Sequence, residues 1–220
     1  MTRTLPKDIL FDLDGTLIDS APAILASFRQ AFADTGTPAV RPIDPEIIGP
    51  PLMETLTLLS GSADAVLLDR LAEAFKASYD TTGYQATAAY EGVGEMLARL
   101  RQAGPRLHIA TNKRIHPTRL ILAHLGWQDR FDSVYALDAV EPRLPHKAAM
   151  IGRLLADRAI ARADAVYVGD RSEDGESADA NGLRFVAATW GYGSLSPDEM
   201  RPGWEGVSSP GALAARLLES

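Results

Sequence analysis

The stretch KDILFDLDGTLIDS, residues 7–20, sets the reading of the whole 220-residue chain. Ile9, Leu10, Phe11 and Leu13 form an apolar run too short for a helix, and with its flanks it reads as a buried strand of a parallel sheet. The strand stops in Asp12-Leu13-Asp14-Gly15-Thr16. A period of two puts Asp12 and Asp14 on the same side, and Gly15 permits a tight exit turn. Two carboxylates aimed together from a strand end repel unless something positive sits between them. A divalent cation that prefers oxygen, such as Mg2+, is the natural partner. An Asp-Gly hairpin fits poorly, because no antiparallel return follows. A calcium loop would need Asp or Asn at Thr16, Gly at Leu17 and Glu at Ala23. A solvated loop stays open on this segment alone.

Composition narrows the classes. A hydrophobic share of 46% and a charged share of 23% are those of a globular protein. Without cysteine there is no disulfide, thiolate metal site or thiol nucleophile. The N-terminus MTRTLPKD lacks a signal-peptide core and no run approaches membrane length, so a cytoplasmic protein without membrane association is expected. The net charge of -7 argues against nucleic-acid binding and requires local positive charge for any phosphate ligand.

Outward from the first strand the pattern turns helical. Ser20 reads as an N-cap and Pro22 suits the first turn. Ile24, Leu25, Phe28 and Phe32 follow at helical spacing. A stiff connector over 41–51 leads to helices over 53–59 and 62–79. Residues 17–86 therefore read as an all-helical insert, with 1–16 and 87–220 as the α/β core. In the core, helices are expected over 93–102, 117–125, 147–157, 175–181 and 213–218. Strands are expected over 106–110, 133–137, 165–168 and 184–188. The alternation predicts a Rossmann-like, doubly wound parallel sheet with ligands at the strand ends.

Three further strand ends or loops carry chemistry. Thr111-Asn112 offers a hydroxyl and an amide suited to phosphate oxygens, or a simple helix cap. Lys147 opens a helix, where the dipole disfavours a cation; it is either solvated or neutralising an anion. Val168-Gly169-Asp170 ends a strand with Asp174 four residues on, mirroring the first strand end. Lys113 and Arg114 read as a pair at the rim, either drawing in an anionic substrate or merely solvated. His108, His116, His124 and His146 lack metal-site spacing, and Trp127, Trp190 and Trp204 read as packing residues.

Taken together, DLDGTL, Thr111-Asn112, Lys147 and GDRSED resemble, in order, the four motifs of the haloacid dehalogenase-like phosphohydrolase superfamily. The helical insert looks like that family's C1-type cap. IGPPL at 48–52, AYEGV at 89–93 and WGYGS at 190–194 are similar to its phosphoglycolate phosphatase and 5'-nucleotidase-like branch. The resemblance implies a Mg2+-dependent phosphatase acting on a small phosphorylated metabolite. Asp12 would be the nucleophile and Asp14 the general acid and base. Gly15, Thr111, Asn112 and Lys147 would bind substrate, and Asp12, Asp14, Asp170 and Asp174 would hold the metal. The third motif lacks its frequent proline, and Gly175 and Ser177 stand where an apolar residue and a glycine are common, which is expected to loosen the following helix. A mutase, a nucleotidase or a catalytically idle binding module on the same scaffold are the alternatives. Oligomeric state is not legible.

Overall fold

A computed structural model describes residues 5–218; residues 1–4, which open the N-terminal stretch MTRTLPKD, and 219–220 lie outside the described residues. The first strand, β1 (Asp8–Phe11), is fully buried, with Ile9, Leu10 and Phe11 each 0% exposed. Burying three such side chains stabilises the fold by about 1.5–3 kcal/mol each relative to exposure. Their alternation also explains why β1 lies between two layers. Ile9 and Phe11 face one apolar cluster, while Leu10 faces another with Tyr167 and Phe185.

A two-residue strand, β2 (Ile18–Asp19), follows the turn. Helices α1 (Ala21–Thr35), α2 (Leu52–Ser60) and α3 (Ala65–Tyr79) come next, and α1 packs against α3. The chain returns through β3 (Ala88–Ala89), which pairs antiparallel with β2, Ile18 against Ala89. Both connections of the helical segment are thus tied into one short ribbon directly after the Asp12–Asp14 turn.

The remaining elements are α4 (Val93–Ala103), β4 (Arg106–Thr111), α5 (Ile115–His124), β5 (Ser133–Ala136), α6 (Lys147–Asp157), β6 (Ala165–Gly169), α7 (Ser172–Ala180), β7 (Arg184–Ala188), β8 (Glu205–Val207) and α8 (Pro210–Leu218). The sheet order is β5-β4-β1-β6-β7-β8, and every pairing is parallel. Helices α4 and α8 pack together, as do α6 and α7. The expected α/β doubly wound sheet is therefore the observed one. Strand β1 is central, between β4 and β6, so all three strand ends that carry polar motifs open on one edge. Among the described residues no helix is long and apolar enough to cross a membrane.

Several local expectations change. The insert read as all-helical opens with the strand β2, and α8 begins at Pro210 rather than at 213. The edge strand β8 was not anticipated, because Glu205-Gly206-Val207 has no apolar run. Helix α7 starts at Ser172 rather than at 175, and Gly175 does not loosen it: a Cβ there would stand 2.3 Å from the Trp204 ring, so the glycine admits the indole against the helix.

Candidate active site

The site begins where β1 ends. The Asp12 N–H donates to Val168 O at 2.8 Å, carrying the ladder one residue past β1. The Leu13 carbonyl then accepts from Leu17 and Ile18, closing a tight turn. Gly15 sits in that turn with φ +83°. A Cβ on it would lie 2.0 Å from Asp170 Oδ2, so glycine satisfies both the backbone and the close approach of β6. Its N–H is already bonded to Ile18 O at 2.9 Å, so Gly15 contributes space to the site and not a free donor.

Asp12, Asp170 and Asp174 are all buried, and one carboxylate oxygen from each lies within 4.8 Å of the others. Lys147, at the start of α6, is only 4% exposed. Its ammonium donates to Asp12 Oδ1 at 3.1 Å and Asp174 Oδ1 at 2.5 Å. The solvated option is excluded: the lysine is buried and neutralises carboxylates of the protein itself. His146 Nδ1, not Lys147, caps the helix by accepting the Ala149 N–H at 3.2 Å.

Asp170 accepts from Thr16 Oγ1 at 3.3 Å and from the Gly193 N–H at 3.0 Å. Asp174 is more heavily committed. Its Oδ2 accepts the N–H groups of Asp170 and Arg171 at 3.1 and 3.0 Å, and its Oδ1 accepts Lys147 and the Tyr167 hydroxyl. Burial pushes the Asp12 carboxyl up to about 7; Lys147 pulls it back, while Asp174 and Asp14 add to the rise. Burial, reinforced by Asp174 and Asp12, also raises Asp170 well above the carboxylate range. Ionised together, three carboxylates against one ammonium would leave two negative charges in a buried pocket, which is why Asp12 and Asp170 hold their protons more tightly than free carboxylates. That surplus, on hard oxygen donors, fits a bound divalent cation.

Asp14 belongs to a neighbouring network. Ser20 donates to Asp14 Oδ1, and the Tyr192 hydroxyl lies 3.2 Å from Ser20 Oγ. Ser20 does hold the N-cap position of α1, but its side chain makes no cap bond and serves Asp14 instead. Lys113 donates to Asp14 Oδ1 and Oδ2 at 3.0 and 3.2 Å. Arg114 makes a two-pronged pair with Asp80, at the end of α3, at 2.8 and 2.6 Å. The two cations expected at the rim are therefore partnered and largely buried, and the steering reading loses its free charges.

Thr111 ends β4, 1% exposed, and accepts the Lys113 N–H at 3.2 Å. The Asn112 amide donates to Gly49 O and to the Glu173 carboxylate at 3.1–3.2 Å, spanning from β4 to the 41–51 connector and to α7. Its carbonyl oxygen is buried without a partner in the structure. Thr16, Ser20, Tyr192 and Tyr167 were not foreseen as site residues. For Tyr192 and Gly193 the signal was the WGYGS stretch, which folds over the first turn, with Trp190 Nε1 donating to Thr16 O at 3.0 Å.

Known proteins share the sequence pattern and fold of this chain. A family model described as haloacid dehalogenase-like hydrolase matches residues 9–188. Phosphoglycolate phosphatase of Xanthomonas campestris pv. campestris is 36% identical over 193 residues, covering 85% of each protein. Tyrosine-protein kinase PtkA of Mycobacterium tuberculosis is 37% identical over 191 residues, 86% of this chain, which spans only 64% of that protein's length. A haloacid dehalogenase-like family hydrolase from Streptococcus pneumoniae superposes with a TM-score of 0.82 at 25% identity, covering 96% of this chain and 98% of that one. The chain belongs to the haloacid dehalogenase-like hydrolase family.

Proposed function

We propose that the protein is a Mg2+-dependent phosphatase of small phosphomonoesters working through an aspartyl-phosphate on Asp12. The observation that carries this reading is the Asp12–Asp170–Asp174 cluster clamped by Lys147. Asp12 and Asp170, with the Asp14 backbone carbonyl, would hold the metal. Asp174, whose oxygens are already taken by Lys147, Tyr167 and two backbone N–H groups, would stand behind them and fix the geometry. When bound, Mg2+ supplies positive charge to the phosphoryl oxygens.

The chain's own groups supply the rest. Asp12 attacks phosphorus and the P–O ester bond breaks, while Asp14 delivers a proton to the departing oxygen. Water then attacks the aspartyl-phosphate. Asp14 takes its proton, the bond from phosphorus to Asp12 breaks, and phosphate leaves. Lys147 keeps Asp12 in place throughout. Residues 17–86 act in this scheme as a cap. The β2–β3 ribbon is its hinge, and Arg114–Asp80 and Asn112–Gly49 join core to cap. The relatives named phosphoglycolate phosphatase support the reaction class.

Phosphate release from p-nitrophenyl phosphate tests the reading with Mg2+ and with excess EDTA. Turnover is expected only with metal. Mg2+ is also expected to raise the melting temperature of the parent, as any ligand of the native state does. Asp170→Asn should abolish that rise. Turnover in EDTA, or a Mg2+ response surviving in Asp170→Asn, would contradict the assignment.

A further inference from the structure

A cavity of about 70 Å3 opens beside Asp14, between the helical segment and the ends of β4 and α5. Its wall is largely apolar, made chiefly by Ile24, Phe28, Ile47, Ile48, Phe75 and Pro117, with neutral polar groups at Tyr79 and Asn112. Because it adjoins the residue assigned to protonate the departing oxygen, whatever leaves with that oxygen lies in it. The nature of the leaving group is therefore written in this wall.

Only three lining residues are charged: Asp14, Lys113 and Arg114. Lys113 is matched by Asp14 and Arg114 by Asp80. The adjacent cluster offers no surplus cation either, since Asp12, Asp170 and Asp174 outnumber Lys147 by the two charges a divalent metal supplies. A second anion on the substrate would have to strip Lys113 from Asp14 or lie against Ile24 and Phe28 with only neutral groups such as the Tyr79 hydroxyl to meet it, and no cation of its own. Both are unfavourable against a largely apolar wall. Size sets a second bound. The volume is about half of the ~150 Å3 that holds a benzene ring, so a short branched chain fills it while an aryl group would extend beyond it toward the opening.

We propose that this cavity selects phosphomonoesters of small, uncharged, largely apolar alcohols and disfavours esters whose leaving group carries a carboxylate. The proposal rests on the phosphatase reading above. It separates this chain from its phosphoglycolate phosphatase relatives at the level of substrate charge.

Isobutyl phosphate and 2-phosphoglycolate are nearly equal in shape beyond the ester oxygen and differ in charge. With the Mg2+-loaded enzyme, kcat/KM is expected to be at least about tenfold higher for isobutyl phosphate. An equal or higher value for 2-phosphoglycolate would overturn the proposal while leaving the phosphatase reading intact. If isobutyl phosphate is inert but p-nitrophenyl phosphate is cleaved, the proposal likewise falls alone. If no phosphoester is cleaved, the phosphatase reading fails and takes the proposal with it. Leu52, half-buried in the same wall, gives a second arm. Leu52→Lys adds one positive charge to this wall and should move the ratio of the two kcat/KM values about tenfold toward 2-phosphoglycolate. An unchanged ratio in that variant would show that charge in the cavity does not select.

Discussion

The Lys113 ammonium bonds both carboxylate oxygens of Asp14, at 3.0 and 3.2 Å, while resting 4.7 Å from the centroid of the Tyr79 ring. A lysine ordinarily trades such a position for water, so its retention here orients the carboxylate it holds. Ser20 grips the same carboxylate, and Tyr192 backs Ser20. Asp14 is thereby fixed in one direction before substrate arrives.

Lys113→Met should lower kcat by about 10- to 100-fold, the penalty for a misplaced proton-transfer group, with KM changed less than kcat. Because Lys113 serves Asp14 and not the leaving group, the loss should be the same factor for isobutyl phosphate and 2-phosphoglycolate. Steady-state kinetics on both substrates checks this. A loss confined to 2-phosphoglycolate would assign Lys113 to the substrate instead.

Gly175→Ala should destabilise the fold by about 1–3 kcal/mol. The Trp204 indole that would meet the new methyl cannot swing away: its Nε1 donates to Asp179 at 3.0 Å and its ring meets Phe185 edge-on at 5.1 Å. Gly94→Ala is the control. It lies in α4 with nothing within 4 Å of its Cβ position, and should be neutral or stabilising by up to about 1 kcal/mol. Urea denaturation of both variants decides. Equal stabilities would mean that Trp204 yields at little cost.

His108 makes stability fall on mild acidification. It is fully buried in β4, between Asp8 at 3.0 Å and Ser133 Oγ at 2.7 Å, with Arg106 and Asp132 nearby. Burial holds its pKa below 6.5, outweighing the upward pull of Asp8. The unfolded chain therefore takes up a proton first as pH drops. The contribution is intact above about 6.5 and is lost progressively below it, with a slope no steeper than about 1.4 kcal/mol per pH unit for one proton. Melting curves between pH 7.5 and 5 should show this loss in the parent and a shallower one in His108→Gln. Parallel curves would remove His108 as the cause.

Strands β1 and β6 were legible because they are short apolar runs closed by Gly or Asp. The 9–13 and 165–169 stretches announce a strand and its acidic exit together. The site's acidic residues were legible for the same reason, since Asp12 and Asp170 follow fully buried residues at strand ends. What stayed hidden depends on residues far apart in the chain. Nothing local to Lys113 or Arg114 says that one turns inward to Asp14 and the other crosses to Asp80. Ser20 carries a cap signal in sequence, and only the fold brings Asp14 within reach of its hydroxyl. Gly175 looks like a helix breaker until Trp204, 29 positions on, is seen to occupy the space above it. β8 is held by its partner β7, not by any pattern of its own.

Asp12→Asn bears on the central claim most directly. Its carboxyl is pushed up to about 7, chiefly by burial, so without metal the amide should fold at least as stably as the parent; a melting curve verifies this first. On that folded variant, Mg2+-supported phosphate release from p-nitrophenyl phosphate should fall by at least about 10⁴-fold, as expected when a nucleophile is removed. Turnover within tenfold of the parent would contradict an aspartyl-phosphate on Asp12.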